Sequence, residues 1–260
     1  MLETDRLHRT GPPLEPRFRA LVRWAAADAN CCEYGRALAE ADYARDTGDK
    51  SPLAAAVGTP QLLSPRERRG IAFARQMMRD AACITDTEVA WLKDDLGEER
   101  LVALVLLLAH ASFQDRILLA LATKPEPEGV PPPVQACFAR STSTPPGGPP
   151  PPSHTETGNS TTEEASDSWH ATRAALQQQK DRPGRIAIPS ADVMVQRLGP
   201  DHAVQWQRDI VWSRVCYVHQ PLRTDAWFAT VAAARSESQL DAVFTNSIFW
   251  VVTDSLRCFY

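Results

Sequence analysis

The sequence predicts an all-α protein made of helical hairpins packed on one another, and three observations predict it. Good helix formers, Ala, Leu and Arg, dominate both ends of the chain. No stretch sustains the apolar–polar alternation of a half-buried strand. Runs of the form Ser/Thr-x-x-Glu/Gln, the signature of a capping box, stand before apolar segments.

Pro16 to Asp46 reads as helix-forming, with Gly48 as its stop. Ser64-Pro65-Arg66-Glu67 opens the next helix: Ser caps, Pro sits in the first turn and Glu reaches back. Behind it Ile71, Phe73, Ala74, Met77 and Met78 form an apolar side. Thr85-Asp86-Thr87-Glu88 is a second box, with Ile84 placed as a staple. Glu98 to Ala122 gives a long apolar helix whose buried stripe is expected to include Phe113 and Ile117, with Gln114, Asp115 and Arg116 on the polar side.

Composition then changes. Twelve of the 21 prolines lie between Pro125 and Pro183, and a Ser/Thr/Glu-rich stretch follows the run Pro149 to Pro152, through Asp167. Such a segment has too little apolar surface to offset its ordering entropy, so it is expected to be a disordered linker. Within it, Trp169 to Lys180 has the composition of a short polar helix. Beyond it Ser190 caps Ala191 to Leu198, with Gly199-Pro200 as the end. Gln205 to Val218 and Pro221 to Ala234 are helical, and Ser236-Glu237-Ser238-Gln239 is expected to open a last helix running to Tyr260. The organisation expected is a helical domain over 1–123, a linker over 124–184 and a second, incomplete helical unit over 185–260.

A spaced set of residues occurs twice. Trp24, Asp28, Cys32 and Tyr34 share the pattern Trp-x-x-x-Asp-x-x-x-Cys-x-Tyr with Trp250, Asp254, Cys258 and Tyr260. On a continuous helix this spacing sets Trp, Asp and Cys one above the other. Two related helical units are therefore expected, with the second copy stopping where a Cys-x-x-Cys pair would be completed.

The net charge of −4, from 28 basic and 32 acidic residues, gives no electrostatic case for nucleic acid or an anionic membrane. The N-terminal residues lack the apolar core of a signal peptide. The longest uninterrupted apolar run, Leu101 to Ala109, is well short of the roughly 20 residues that span a bilayer. A cytoplasmic location is expected. The six cysteines, Cys31, Cys32, Cys83, Cys137, Cys216 and Cys258, are too dispersed for a disulfide framework. No cofactor is expected, since no Gly-rich phosphate loop follows a strand. Cys216 and His219, three apart, are too few for a metal site.

Two stretches resemble the carboxymuconolactone decarboxylase and alkylhydroperoxidase D-like superfamily. Asn30-Cys31-Cys32-Glu33-Tyr34-Gly35 is similar to the family's Asn-x-Cys-x-Tyr-Cys helix start. Leu63-Ser64-Pro65-Arg66-Glu67-Arg68, continued through Phe73-Ala74 and Ile84-Thr85-Asp86 to Phe113-Gln114-Asp115-Arg116, follows the family's order of elements. Likeness covers Pro16 to Leu121 and, more weakly, Arg185 to Tyr260. The resemblance implies an alkylhydroperoxidase D-like helical bundle that oligomerises. It also implies a Cys-x-x-Cys pair in which one thiolate reduces a peroxide and the other resolves the sulfenic acid as a disulfide, later reduced by a dithiol partner.

Against that pattern Cys32 matches the first cysteine, but Gly35 stands at the second, Ala39 at a histidine and Ala20 at a glutamate. In the second copy Cys258 matches and Asn246 stands at the glutamate. Candidate redox thiols are therefore Cys32 and Cys258, with His110 as a candidate base reaching the cysteine helix or, alternatively, a hydrogen-bonded core residue. Asp115 and Arg116 are expected to be structural, pairing with a neighbouring unit. Glu33 and Glu40 are expected on the surface, and Trp91, Trp206, Trp212 and Trp227 in the core or at subunit contacts. The expected function is that of a degenerate relative of thiol-dependent hydroperoxide reductases. If active it is a thiol peroxidase, and the alternatives are a non-catalytic helical scaffold and a lactone decarboxylase. Expected partners are further copies of the chain, a dithiol reductant and a small peroxide. The last helix, with Phe244, Ile248, Phe249, Val251 and Val252, is expected to dock on the N-terminal block or on another subunit.

Overall fold

The computed structural model describes residues 2–134, 183–198 and 210–255, with isolated helical positions at 170, 171, 173, 174 and 177. Among these residues every regular element is helical and no strand occurs, so the all-α class holds. The chain divides into two compact units, one of residues 1–135 with 184–240 and one of residues 136–183 with 241–260.

In the first unit α1 (Leu2–Thr10) precedes α2 (Pro16–Ala29), the helix on which α3 (Glu33–Thr47), α5 (Pro65–Asp80) and α6 (Asp86–Ala120) all pack. Ten consecutive residues of α2, Phe18 to Ala27, are buried. Burial on all sides is possible because alanines at 20, 25, 26 and 27 admit close neighbours and the two arginines in this run find acidic partners. Arg19 pairs with Asp46 and Arg23 with Asp115. The approach of α5 is equally close: a Cβ at Gly70 would lie 2.5 Å from the ring of Phe18.

The cysteine motif does not lie on one helix. The N–H of Asn30 closes α2 on the Ala26 carbonyl at 3.0 Å, and Cys31 turns into the left-handed region at φ 58°. Cys32 is then extended and caps α3. Trp24 and Asp28 therefore belong to α2 while Cys32 starts the next helix, and the expected single face of Trp, Asp and Cys is broken by this turn. The helix-forming composition of 16–46 conceals the break because nothing between Asp28 and Tyr34 is a Gly or Pro. Gly48 ends α3 as expected, at φ 73°.

After α4 (Leu53–Gly58), two of the three expected capping boxes form, those at Ser64 and Thr85. Ser64 Oγ accepts from Glu67 N–H at 3.2 Å and Glu67 Oε2 from Ser64 N–H at 2.7 Å. Thr85 and Glu88 repeat the exchange at 3.2 and 2.8 Å. Gly97, at φ 75° and ψ 164°, kinks α6 and separates its polar first half from the apolar second half. By length and composition α6 suits a membrane crossing, but half of the apolar window is buried inside the protein. Leu101, Leu104 and Leu108 of this half are core residues. Two positions at the C-terminal end reverse expectation, Asp115 at 0% exposed and Phe113 at 37%, while Arg116 is exposed as expected. The apolar stripe yields there to an ion pair, and Phe113 instead meets the edge of Trp227 at 6.0 Å.

Residues 124–134, expected to begin the linker, carry no helix yet stay tied to the first unit. Glu126 accepts from the Tyr34 hydroxyl at 2.9 Å and the Pro131 carbonyl from Arg9 at 3.0 Å. The remainder of the expected linker lies outside the described residues, apart from the few helical positions within Trp169 to Lys180 and the end at Pro183 and Gly184. From Gly184 to Leu240 the chain also belongs to the first unit. Arg185 binds Asp86 at 2.6 Å and the Ile84 carbonyl at 2.7 Å. Then α7 (Ala191–Leu198) packs on α8 (Val211–His219), α8 on α6 and on α9 (Pro221–Glu237), and α9 on α1. Residues 205–209 of the expected Gln205 helix lie outside the described residues. Because α9 continues to Glu237, Ser236-Glu237-Ser238-Gln239 ends a helix rather than opening one.

In the second unit α10 (Ala242–Ser255) starts from Asp241, whose Oδ1 accepts from the N–H groups of Val243 and Phe244 at 2.9 and 3.1 Å. Its Phe244, Ile248 and Trp250 side chains are exposed.

Candidate functional site

Cys32 is placed by the turn between α2 and α3. Its N–H bonds the Ala27 carbonyl at 2.8 Å, and its sulfur accepts from the N–H of Gly35 at 3.4 Å. A helix N-terminus favours a thiolate. Here that influence loses. Cys32 is 1% exposed, and burial pushes its thiol above the ordinary range. The Gly35 N–H and the nearby Arg23 pull the other way, while the Asp115 carboxylate adds to the rise. At neutral pH the sulfur is a thiol, not the nucleophilic thiolate.

Beside it sits a buried polar cluster. Arg23 donates to both carboxylate oxygens of Asp115, at 3.1 and 2.5 Å, and to Oε1 of Gln114 at 3.3 Å. Asn30 Nδ2 donates to the same carboxylate at 2.9 Å. Asp115, expected to face a neighbouring unit, is thus the internal acceptor that locks α2, the Asn30 turn and α6 together. Gly35 completes the packing: a Cβ there would lie 2.4 Å from Asp115 Oδ1 and 2.9 Å from the Ala27 Cβ. The position where the resemblance would put a second cysteine has no room for any side chain while this ion pair stands.

His110 is buried but, against expectation, its ring nitrogens make no hydrogen bond in the structure. Nε2 is 3.6 Å from Asp5, and the ring stacks on His8 with centroids 4.7 Å apart. The pair borders a cavity of about 20 Å³ lined also by Ala20, Ala39, Arg19, Arg23 and Leu107. Ala20 and Ala39, at the implied glutamate and histidine positions, therefore do share a wall with His110. Cys32 is not among the lining residues. The arginines bordering the cavity are engaged: Arg9 with Asp42 at 2.8 Å, Arg19 with Asp46 and Arg23 with Asp115. The space suits one water molecule and no organic substrate.

The other sites separate. Cys258 and Tyr260 lie outside the described residues, as do Cys137 and Trp206. Glu33 is exposed, and Glu40 accepts from the Trp24 indole N–H at 3.2 Å. Arg116 is exposed, and Trp91, also exposed, lies beneath the Arg69 guanidinium at 5.5 Å. Burial pushes Cys216 up to about 11, and its neighbour His219 stands 4.0 Å from Glu98. Among the described residues no group of three or more His, Cys, Asp or Glu side chains could hold a metal ion. Sequence reasoning missed His8 and Arg23, which carry no motif; Arg23 is signalled only as a charged residue inside an apolar helical run, and His8 stands in a polar helix that gives no signal. No family model matches this chain, and neither a curated protein nor a solved structure matches it.

Proposed function

We propose that this chain is a carboxymuconolactone decarboxylase-like protein with an alkylhydroperoxidase D-like helical bundle, in which the thiol site at Cys32 no longer reduces peroxide and the bundle serves as a helical scaffold. The bundle reading draws support from the order of elements around α2: a cysteine-capped helix, a Ser-Pro-capped helix and a long helix bearing Asp115-Arg116. Loss of activity rests on one observation, the contact of Gly35 with the Arg23–Asp115 pair beside a buried, protonated Cys32. Peroxidase turnover needs a thiolate and a resolving thiol. The fold at Cys32 supplies neither.

Lactone decarboxylation is the less favoured reading. His110 and three arginines border one cavity, which is the chemistry it needs, but the arginines are neutralised by aspartates and the space holds about one water.

The test is peroxide consumption by the reduced protein with a dithiol reductant at pH 7, with sulfenic acid trapped and mapped by peptide. The expected result is no turnover dependent on Cys32 and no adduct on it. Sustained turnover abolished by Cys32→Ser would overturn the proposal.

A further inference from the structure

Cys32 belongs to an apolar cluster against which a lightly attached piece of chain packs. Ala27, Cys32, Tyr34 and Leu38 form a small apolar cluster apart from the main core, and among the described residues Leu118 and Val130 pack against it as partly buried neighbours. Leu118 belongs to α6. Val130 belongs to the non-helical segment 123–134, which packs against the cluster through this side chain. Nine of its twelve residues are exposed, and Pro125, Val130 and Pro133 are half-buried. Beyond the Thr123 N–H bond to the Leu118 carbonyl at 2.9 Å, where the segment leaves α6, it is held by the Tyr34–Glu126 bond at 2.9 Å, the Arg9–Pro131 bond at 3.0 Å and the Val130 side chain. A stretch with so few buried contacts opens locally at a small fraction of the free energy of global unfolding.

We propose that residues 123–134 are a strap that gates the Cys32 sulfur, so that a soft electrophile reaches it only through local lifting of this segment and not through unfolding of the bundle. The inference rests on the reading of Cys32 as a buried, resting thiol. Three features make the strap a switch rather than a permanent cover. Tyr34 sits two residues from the thiol on the same helix, so the bond it makes reports directly on the cap of α3. Burial and the Glu126 carboxylate push the Tyr34 hydroxyl up to about 12, which keeps it a donor throughout the physiological range. The arginine at the other attachment is anchored independently, by bonds to Asp42 at 2.9 and 2.8 Å, so the strap can leave without dismantling that ion pair.

The test is the rate at which iodoacetamide alkylates Cys32 in the folded full chain, with fragment ions separating it from Cys31. In this reaction the sulfur displaces iodide from carbon and its proton passes to solvent. Cys31 and Cys83, both exposed, serve as internal references. Glu126→Ala and Val130→Ser are each expected to speed Cys32 alkylation about tenfold or more, while the reference rates and the unfolding midpoint stay close to those of the parent. The Cys32 rate in the parent is expected to rise with urea far less steeply than global unfolding does, the signature of a local opening. Unchanged Cys32 rates in both variants, or a urea dependence equal to that of global unfolding, would overturn the gate. Peroxide turnover is a separate readout, so failure of the functional reading is distinguishable from failure of the gate.

Discussion

A Cβ at position 35 would stand 2.4 Å from Asp115 Oδ1 and 3.0 Å from an Arg23 Nη, so the smallest substitution must displace a buried ion pair. Gly35→Ala is expected to cost about 1–3 kcal/mol, the usual range for overpacking a close-packed interior. Urea denaturation measures it, and an unchanged midpoint would refute it. Gly35→Cys, which would recreate the implied cysteine pair, is expected to destabilise at least as much. Asp115 itself carries more. Removing it leaves Arg23 buried without its partner, and Asp115→Ala is expected to cost about 3–5 kcal/mol. The combined Arg23→Leu, Asp115→Leu variant is expected to recover at least half of that loss, because two apolar groups leave no unpaired charge in the interior. If the double variant is no more stable than Asp115→Ala, the cost comes from Asn30, the other donor to this carboxylate, rather than from Arg23.

At the level of elements, local chemistry that the chain spells out in consecutive residues was legible. Ser64–Glu67 and Thr85–Glu88 cap as their types require, and Gly48 sits where a helix stops, whereas the bend at Gly97 was not read. Gly97 adopts φ 75° and ψ 164°, a conformation that essentially only glycine holds. Gly97→Ala is therefore expected to destabilise by about 1–3 kcal/mol, and Ser64→Ala by about 1 kcal/mol through the lost cap. Thermal denaturation of the two variants checks both. What could not be read were features decided by partners distant in sequence. Asp115 looks like the polar edge of an amphipathic helix until Arg23, 92 residues away, is brought against it. Cys32 looks like a mid-helix residue because Cys31 takes a left-handed turn that only a Gly or Asn would have announced. Ser236 to Gln239 reads as a capping box, yet Asp241 supplies the cap to the following helix, and which polar residue wins depends on where α9 stops packing. For the candidate site, Cys32 and His110 were visible as residue types. Their inert surroundings were not, since those come from Asp115, Gly35 and His8 on other elements.

On the scale of the whole first unit, the buried His8–His110 stack joins α1 to α6, with α9 closing over it through Arg223. Facing this pair are Asp5 and Arg9 of α1, Arg19 and Arg23 of α2, Asp42 and Asp46 of α3, Gln114 of α6 and Arg223 of α9. Burial is the main reason that His8 is held well below its ordinary value, and the neighbouring His110 and Arg223 add to the depression. His8 is therefore neutral in the folded protein at a pH where the unfolded chain already binds a proton. The stability tied to it is complete above about pH 6.5, the unfolded value, and falls as the pH drops toward the depressed folded value. Burial pushes the Asp5 carboxyl up, but His110 and Arg9 outweigh it and hold Asp5 below the usual range. Its contribution is present above about pH 3.9 and lost only in stronger acid, so it does not overlap the histidine window. Between pH 6.5 and 5.5 the stability of the folded chain is expected to fall by up to about 1.4 kcal/mol per proton taken up on unfolding. His8→Phe keeps an aromatic ring against His110 and removes the titration, so its unfolding midpoint is expected to be flatter with pH over that interval. Urea denaturation of parent and variant at pH 7.5, 6.5 and 5.5 decides the matter. Parallel curves would show that acid sensitivity arises elsewhere than at the junction of α1, α6 and α9.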